Sequence, residues 1–182
     1  MTNARFHSAR EVQETFPAIA EDMATKVSDA TPLDFLAGLV AGETPEDAIS
    51  FCAYLLDRRQ CVWWACCCAR MMQSPASRDE ELALLAAEAW VRDPTPALRK
   101  AALDTGVGGN HNLPGIWAAL AAGGAGGNME VNGQAGPPVP PHMCAKAARA
   151  AVLIALARNP SRERAAMIGK CADLARKILA EG

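Results

Sequence analysis

The stretch Arg58-Arg59-Gln60-Cys61-Val62-Trp63-Trp64-Ala65-Cys66-Cys67-Cys68-Ala69-Arg70-Met71-Met72-Gln73 is apolar on nearly every helical face. A helix of that kind has to be surrounded by protein. It therefore reads as the central helix of a bundle, with Asp57-Arg58-Arg59-Gln60 capping its start. Trp63 and Trp64 are adjacent and point in different directions, so both are buried only if this helix lies at the centre. Arg58 and Arg59 sit at the positive end of the helix dipole, a mild misfit. The misfit calls for a nearby carboxylate partner or a functional use, and both arginines are candidate binding residues.

The flanking sequence supplies more helices. Ser8-Ala9-Arg10-Glu11 has the form of a capping box. Thr31-Pro32 and Thr44-Pro45 each place a hydroxyl before a proline at the first helical position, with an acid (Asp34, Asp47) in the first turn. Ser77 with Glu80 starts another helix, and Asn159-Pro160 opens the last. Spacing predicts the buried stripes: Ala48, Phe51, Cys52 and Leu55; then Leu82, Leu85, Ala86, Ala89 and Trp90; then Ile168, Cys171, Ala172, Ala175, Ile178 and Leu179. In the last helix Asp173 and Lys177 form a four-apart ion pair. Val, Ile and Thr do not cluster, so strands are not expected. The fold class is all-α: one domain over residues 1–182, about eight helices, its core at about 30–180.

One region breaks the helical pattern. Ten of the fourteen glycines fall between Gly106 and Gly136, and Pro137, Pro138, Pro140 and Pro141 follow. A short helix, about Leu113–Ala122, interrupts the glycines. The rest, Gly123–Pro141, reads as a long loop with a stiff, extended proline run, and loops of that length are usually functional or disordered. Pro137, Pro138, Pro140, Pro141 and the following His142 are candidate binding residues. So is Trp117, the tryptophan best placed to reach a partner surface.

Bulk properties narrow the function classes. A chain of 182 residues can bury about 70% of the surface its unfolded form exposes, so it needs no disulfide or metal to hold a core. The net charge of −2 sets up no general attraction to nucleic acid. Charge is uneven, with five basic and ten acidic residues in 1–60 and eight basic and three acidic in 144–182, and these read as solvated helix faces. The longest apolar runs, Cys61–Ala69 and Ala150–Ala157, are too short to span a membrane. Met1 to Gln13 shows no export signal. Seven cysteines within apolar helices then indicate reduced thiols in the cytoplasm.

Motifs for chemistry are missing. Gly106-Val107-Gly108-Gly109 precedes a helix but lacks the strand and lysine of a phosphate loop, and Gly123-Gly124-Ala125-Gly126-Gly127 follows a helix end that repels anions. There is no CxxC, HExxH or GxSxG pattern, and Glu80, Glu81 and Glu88 read as solvated carboxylates on a polar helix face. No catalytic residue, metal site or cofactor is assigned. The leading reading is a non-enzymatic interaction module with a protein partner. The alternative is a thiol- or metal-dependent enzyme, or ligand-binding protein, with a site near Cys61, Cys68, Cys144 and His142. A weaker one is nucleic-acid contact through Arg149, Arg158, Arg162 and Arg176.

The run Leu55-Leu56-Asp57-Arg58-Arg59-Gln60-Cys61-Val62-Trp63-Trp64-Ala65-Cys66 resembles the hallmark of an uncharacterised bacterial helical family, defined as a domain of unknown function. The order that follows is also similar: a short tryptophan helix (Gly115–Leu120), a glycine-rich segment, the proline run Pro137–Pro141 and an Ala/Val/Leu helix such as Ala147–Ala157. The resemblance covers roughly residues 30–180. It implies an accessory or adaptor role near type VI secretion and forkhead-associated proteins, and no catalytic residues. Two places depart from it. Ala121-Ala122-Gly123-Gly124 stands where the family tends to have aromatic and serine residues, and Gly127–Gly133 is a longer insertion.

Overall fold

A computed structural model describes residues 5–72 and 77–181. Ten α-helices, one short 3₁₀ turn and a two-stranded hairpin make up these residues. The eight expected helices are present, and two were not foreseen. Helix α1 (Ala9–Thr15) is capped by Ser8, whose Oγ accepts from Glu11 N, while the Glu11 carboxylate accepts from His7 N. Helix α2 (Ile19–Asp22) is a single unforeseen turn. Helix α3 (Pro32–Val40) starts at Thr31-Pro32 as expected. Helix α4 (Asp47–Leu55) begins two residues after Pro45, because Thr44-Pro45-Glu46 first makes a tighter turn of three-apart bonds. Helix α5 (Arg58–Met71) has a complete capping box formed by Asp57 and Gln60.

Helix α6 (Arg78–Arg92) is capped by Ser77. Helix α7 (Pro96–Val107) is the second unforeseen one, although Thr95-Pro96 carries the same signal as Thr31-Pro32: a capping hydroxyl and a proline at the first position. Helix α8 (Pro114–Gly123) follows, then α9 (Met143–Ala157), the 3₁₀ turn Ser161–Glu163 and α10 (Arg164–Glu181).

The innermost helices are α4 and α8, not α5 as its apolarity predicts. All nine residues of α4 are buried, and so is all of α8 except half-buried Trp117 and Leu120. Helix α8 packs on α5, α6, α7 and α9. It comes close because its residues are small: an added Cβ at Gly115 would meet the Glu80 carbonyl at 2.6 Å, and one at Gly123 would meet Leu103 Cα at 2.7 Å. Helix α5 instead keeps one outer strip between α6 and α10. Trp64 is fully buried, whereas Trp63 is 42% exposed and Met71 lies on the same strip. Cysteine and alanine raise the apolarity of α5 without demanding burial all round.

The α6 stripe is also displaced. Ala83, Leu84, Ala87 and Trp90 are buried, while Leu82 and Leu85 face outward. Ala83 packs with Ile116 and Ala119 of α8 and Leu84 lies against Gly115, so contact with α8 sets the buried face and Leu82 and Leu85 fall on the other side. The α10 stripe is placed as expected from Ile168 to Ile178, with Leu179 partly buried. Asp173 pairs with Arg176 three positions on, not with Lys177, which reaches Glu181. None of the described helices is long and apolar enough to cross a membrane.

The long Gly/Pro loop contains a β-hairpin. Strand β1 (Asn128–Val131) pairs antiparallel with β2 (Gln134–Pro138), Val131 opposite Gln134. Asn132 and Gly133 turn the chain with φ of 54° and 75°. Asn-Gly is the preferred pair for a two-residue hairpin turn with both central φ values positive, so the signal was in the sequence.

Candidate functional site

The start of α5 joins several helix ends. Arg58 Nη1 donates to the carbonyl of Ala125, just past the end of α8, at 2.9 Å. Arg59 Nε donates to Val91 O at 2.6 Å, and its Nη2 reaches Arg92 O, at the last turn of α6. Gln60 Nε2 reaches Ile178 O in the last turn of α10. The last carbonyls of a helix have no partner within it and carry partial negative charge, so cationic donors suit them. The misfit of two arginines at a helix N-terminus is thus resolved by backbone carbonyls, not by the carboxylate expected. Both guanidiniums act as stitches between helices, and that use competes with a role as open ligand hooks.

The proposed thiol site does not assemble. Cys61 on α5 donates to Ala53 O at 3.2 Å and neighbours Cys144, whose thiol points at Arg58 O. Cys68 instead neighbours Cys171 on α10. The four sulfurs form two buried pairs on different helix contacts. His142 lies half-buried at the start of α9, and among the described residues no group of three or more His, Cys, Asp or Glu could hold a metal ion. The bond with Cys144, then burial, holds the Cys61 thiol well above its ordinary range; burial, then the bond with Cys171, does so for Cys68. Burial raises Cys52 and Cys66 as well. Protonated buried thiols are weak nucleophiles.

Cys67 alone is half-exposed among the seven. Burial and the Glu88 charge, opposed by Arg70, push it up to about 11. In native protein, iodoacetamide is therefore expected to label Cys67 slowly. The rate should rise about tenfold per pH unit from pH 8 to 10 with no plateau, because thiolate is scarce until the pH nears 11. Intact mass after timed quenching reads it. Fast labelling at pH 8, or labelling of several cysteines before unfolding, would contradict the burial pattern.

The carboxylates called solvated are mostly engaged. Arg70 holds Glu81 through two bonds of 3.0 Å and also grips Glu88. Glu80 is buried, and both its oxygens accept from Arg158 at 3.1 Å. A further cluster had no local sequence signal. Tyr54 Oη donates to Asp22 at 2.6 Å, Lys146 Nζ reaches Asp22 and Glu21, and Arg149 bonds Ser50 and the Asp22 carbonyl. It clamps α2 onto α4 and α9, residues far apart in the chain. Of the arginines considered for nucleic acid, Arg149, Arg158 and Arg176 are thus taken up by intramolecular bonds, while Arg162 stands exposed.

Trp117 is half-buried; its indole N–H donates to His111 O at 2.8 Å, and the His111 ring lies tilted against it, 5.7 Å between centroids. Its polar edge is used inside the fold. The hairpin is the more outward element. Both strands are exposed along their length apart from half-buried Gly136. Met129 and Val131 on β1 are 45% and 50% exposed. Pro137 and Pro138 end β2, and Pro140 and Pro141 lead into α9. The base of the hairpin is braced. Arg99 donates to Gly123 O at 2.9 Å, Arg58 holds Ala125 O, and Val139 N donates to Gly127 O at 2.9 Å. Gly127, at φ of +77°, lies against the Arg99 guanidinium, where no side chain fits.

Among curated proteins no match is found, and among solved structures none either. A family model described as a family of unknown function, DUF6931, matches residues 35–179, from within α3 to near the end of α10. That span includes the α5 hub, the Trp117 helix and the hairpin, and this chain belongs to the DUF6931 family.

Proposed function

We propose that this chain is a non-enzymatic protein-interaction module whose recognition element is the hairpin 128–138. One observation carries the reading: a hairpin braced at its base presents Met129 and Val131 to solvent beside a proline-ended strand. Exposed apolar side chains on a pre-ordered element favour association, because little conformational freedom remains to be lost on binding. The partner we propose is a component of a type VI-like secretion apparatus, acting from the cytoplasm, as the family resemblance implies. The buried, protonated thiols fit a reducing compartment.

The test is a paired pull-down from lysate of the native host, with wild type and a Met129→Ser/Val131→Ser variant as baits. Both side chains are exposed, so the variant is expected to keep its circular dichroism spectrum and melting temperature. Wild type should recover partners that the variant loses at least tenfold. Equal recovery by both baits, or none by either, would refute the hairpin as recognition element.

A further inference from the structure

A shallow, open cleft of about 630 Å³ lies between α3 and the segment 24–30. Its lining includes Thr25, Asp34, Phe35, Gly38, Leu39 and Glu43. Leu39 is buried, and the Phe35 ring is fixed edge-on against Phe51, 4.9 Å between centroids at 71°. These two supply a rigid apolar floor. Gly38 lies in the middle of α3, where glycine costs about 1 kcal/mol relative to alanine. No fold contact requires it, since a Cβ there would meet nothing within 4 Å. The absent side chain leaves the helix backbone bare on the cleft wall.

The charges at this cleft have one sign. Among the described lining residues the charged side chains are Asp34 and Glu43, both carboxylates and both exposed. A third carboxylate, Asp47, is buried directly behind, bonded to the Thr44 hydroxyl and to the amides of Ala24 and Thr25, residues that also line the cleft. Asp34 is held in place by the Thr31 hydroxyl at 2.7 Å. An apolar floor under an acidic rim complements one ligand chemistry: a cationic head on an apolar body.

We infer that this cleft is a binding site for an ammonium or guanidinium group carried on a short apolar chain or ring, the apolar part seated against Phe35 and Gly38 and the cation drawn to the acidic rim that Asp34 and Glu43 supply. The inference stands apart from the hairpin reading, since it uses none of the same residues. Such a group is supplied either by a free organic amine or by a lysine or arginine of a peptide.

The experiment is amide NMR titration of the full chain with 4-phenylbutylamine, with 4-phenylbutanoate as the anionic control of similar shape. The amine is expected to shift the amides of residues 34–44 saturably at millimolar concentration, and the carboxylate is not. Asp34→Asn/Glu43→Gln should weaken the amine about five- to tenfold, the scale of two exposed ion pairs. Gly38→Leu should abolish the shifts by filling the cleft. Its melting temperature should hold or rise, since the position has room and the helix loses a glycine. If Gly38→Leu lowers the melting temperature, the charge variant alone decides. A capped Leu-Arg-Leu peptide identifies the source: tighter binding than the amine means a peptide, weaker binding a small molecule. Equal shifts by amine and carboxylate, no shifts with either, or an unchanged affinity in the charge variant would overturn the site.

Discussion

Trp64→Ala is expected to lower the unfolding free energy by about 3–5 kcal/mol. For a chain of this size that corresponds to a fall in Tm of about 6–20 °C, at roughly 2–4 °C per kcal/mol. The indole is fully buried, and its Nε1 donates to Cys171 O at 2.9 Å, joining α5 to α10. Alanine removes the largest of the fully buried side chains and leaves a cavity that packed helices fill only in part. The neighbouring Trp63 is the internal control. It is 42% exposed and borders the outer strip of α5, so Trp63→Ala should cost less than about 1.5 kcal/mol. Urea denaturation of both variants reads the difference. Two equal losses would mean that α5 is surrounded on all sides after all.

The second large effect is expected at Arg158. Glu80 is 2% exposed and its side-chain oxygens rely on this one guanidinium. Arg158→Met leaves a buried carboxylate without a cation, a change worth about 3–5 kcal/mol for a buried pair. The lower end of that range applies, because the Arg158 side chain is about a third exposed and water can approach from its side. Replacing both partners tests the cause. Glu80→Met/Arg158→Met removes the stranded charge and should recover most of the loss, coming within about 1 kcal/mol of wild type. A double variant as unstable as the single one would show that packing, not charge, is what Arg158 supplies.

Much of the architecture is written locally. Ser8, Thr31, Asp57 and Ser77 each cap the helix that their hydroxyl or carboxylate announces, because such a cap satisfies an amide only three residues away. Thr95-Pro96 and Asn132-Gly133 carry signals of the same kind, and they mark α7 and the hairpin turn. They were legible in principle and were masked by the glycine- and alanine-rich surroundings.

The candidate sites were less legible. Apolar spacing names a stripe but not which neighbour lies beside it. Leu82 and Leu85 lie off the face that α6 turns to α8, where Ala83 packs with Ile116 and Ala119 and Leu84 lies against Gly115. The spare charges of Arg58 and Arg59 are visible in the sequence, but the carbonyls they bond lie more than 30 residues away. The acidic cleft has its two rim carboxylates nine residues apart with no motif between them, and only the loop 24–30 folding over α3 makes it concave.

From the amino-acid sequence alone come the helical class and most helix starts, since these depend on interactions within one or two turns. Tertiary structure alone decided which helix is innermost, which thiols meet, which carboxylates are paired and where a ligand-sized hollow opens. Those outcomes depend on distances between segments, and such distances follow from how closely small residues let helices approach.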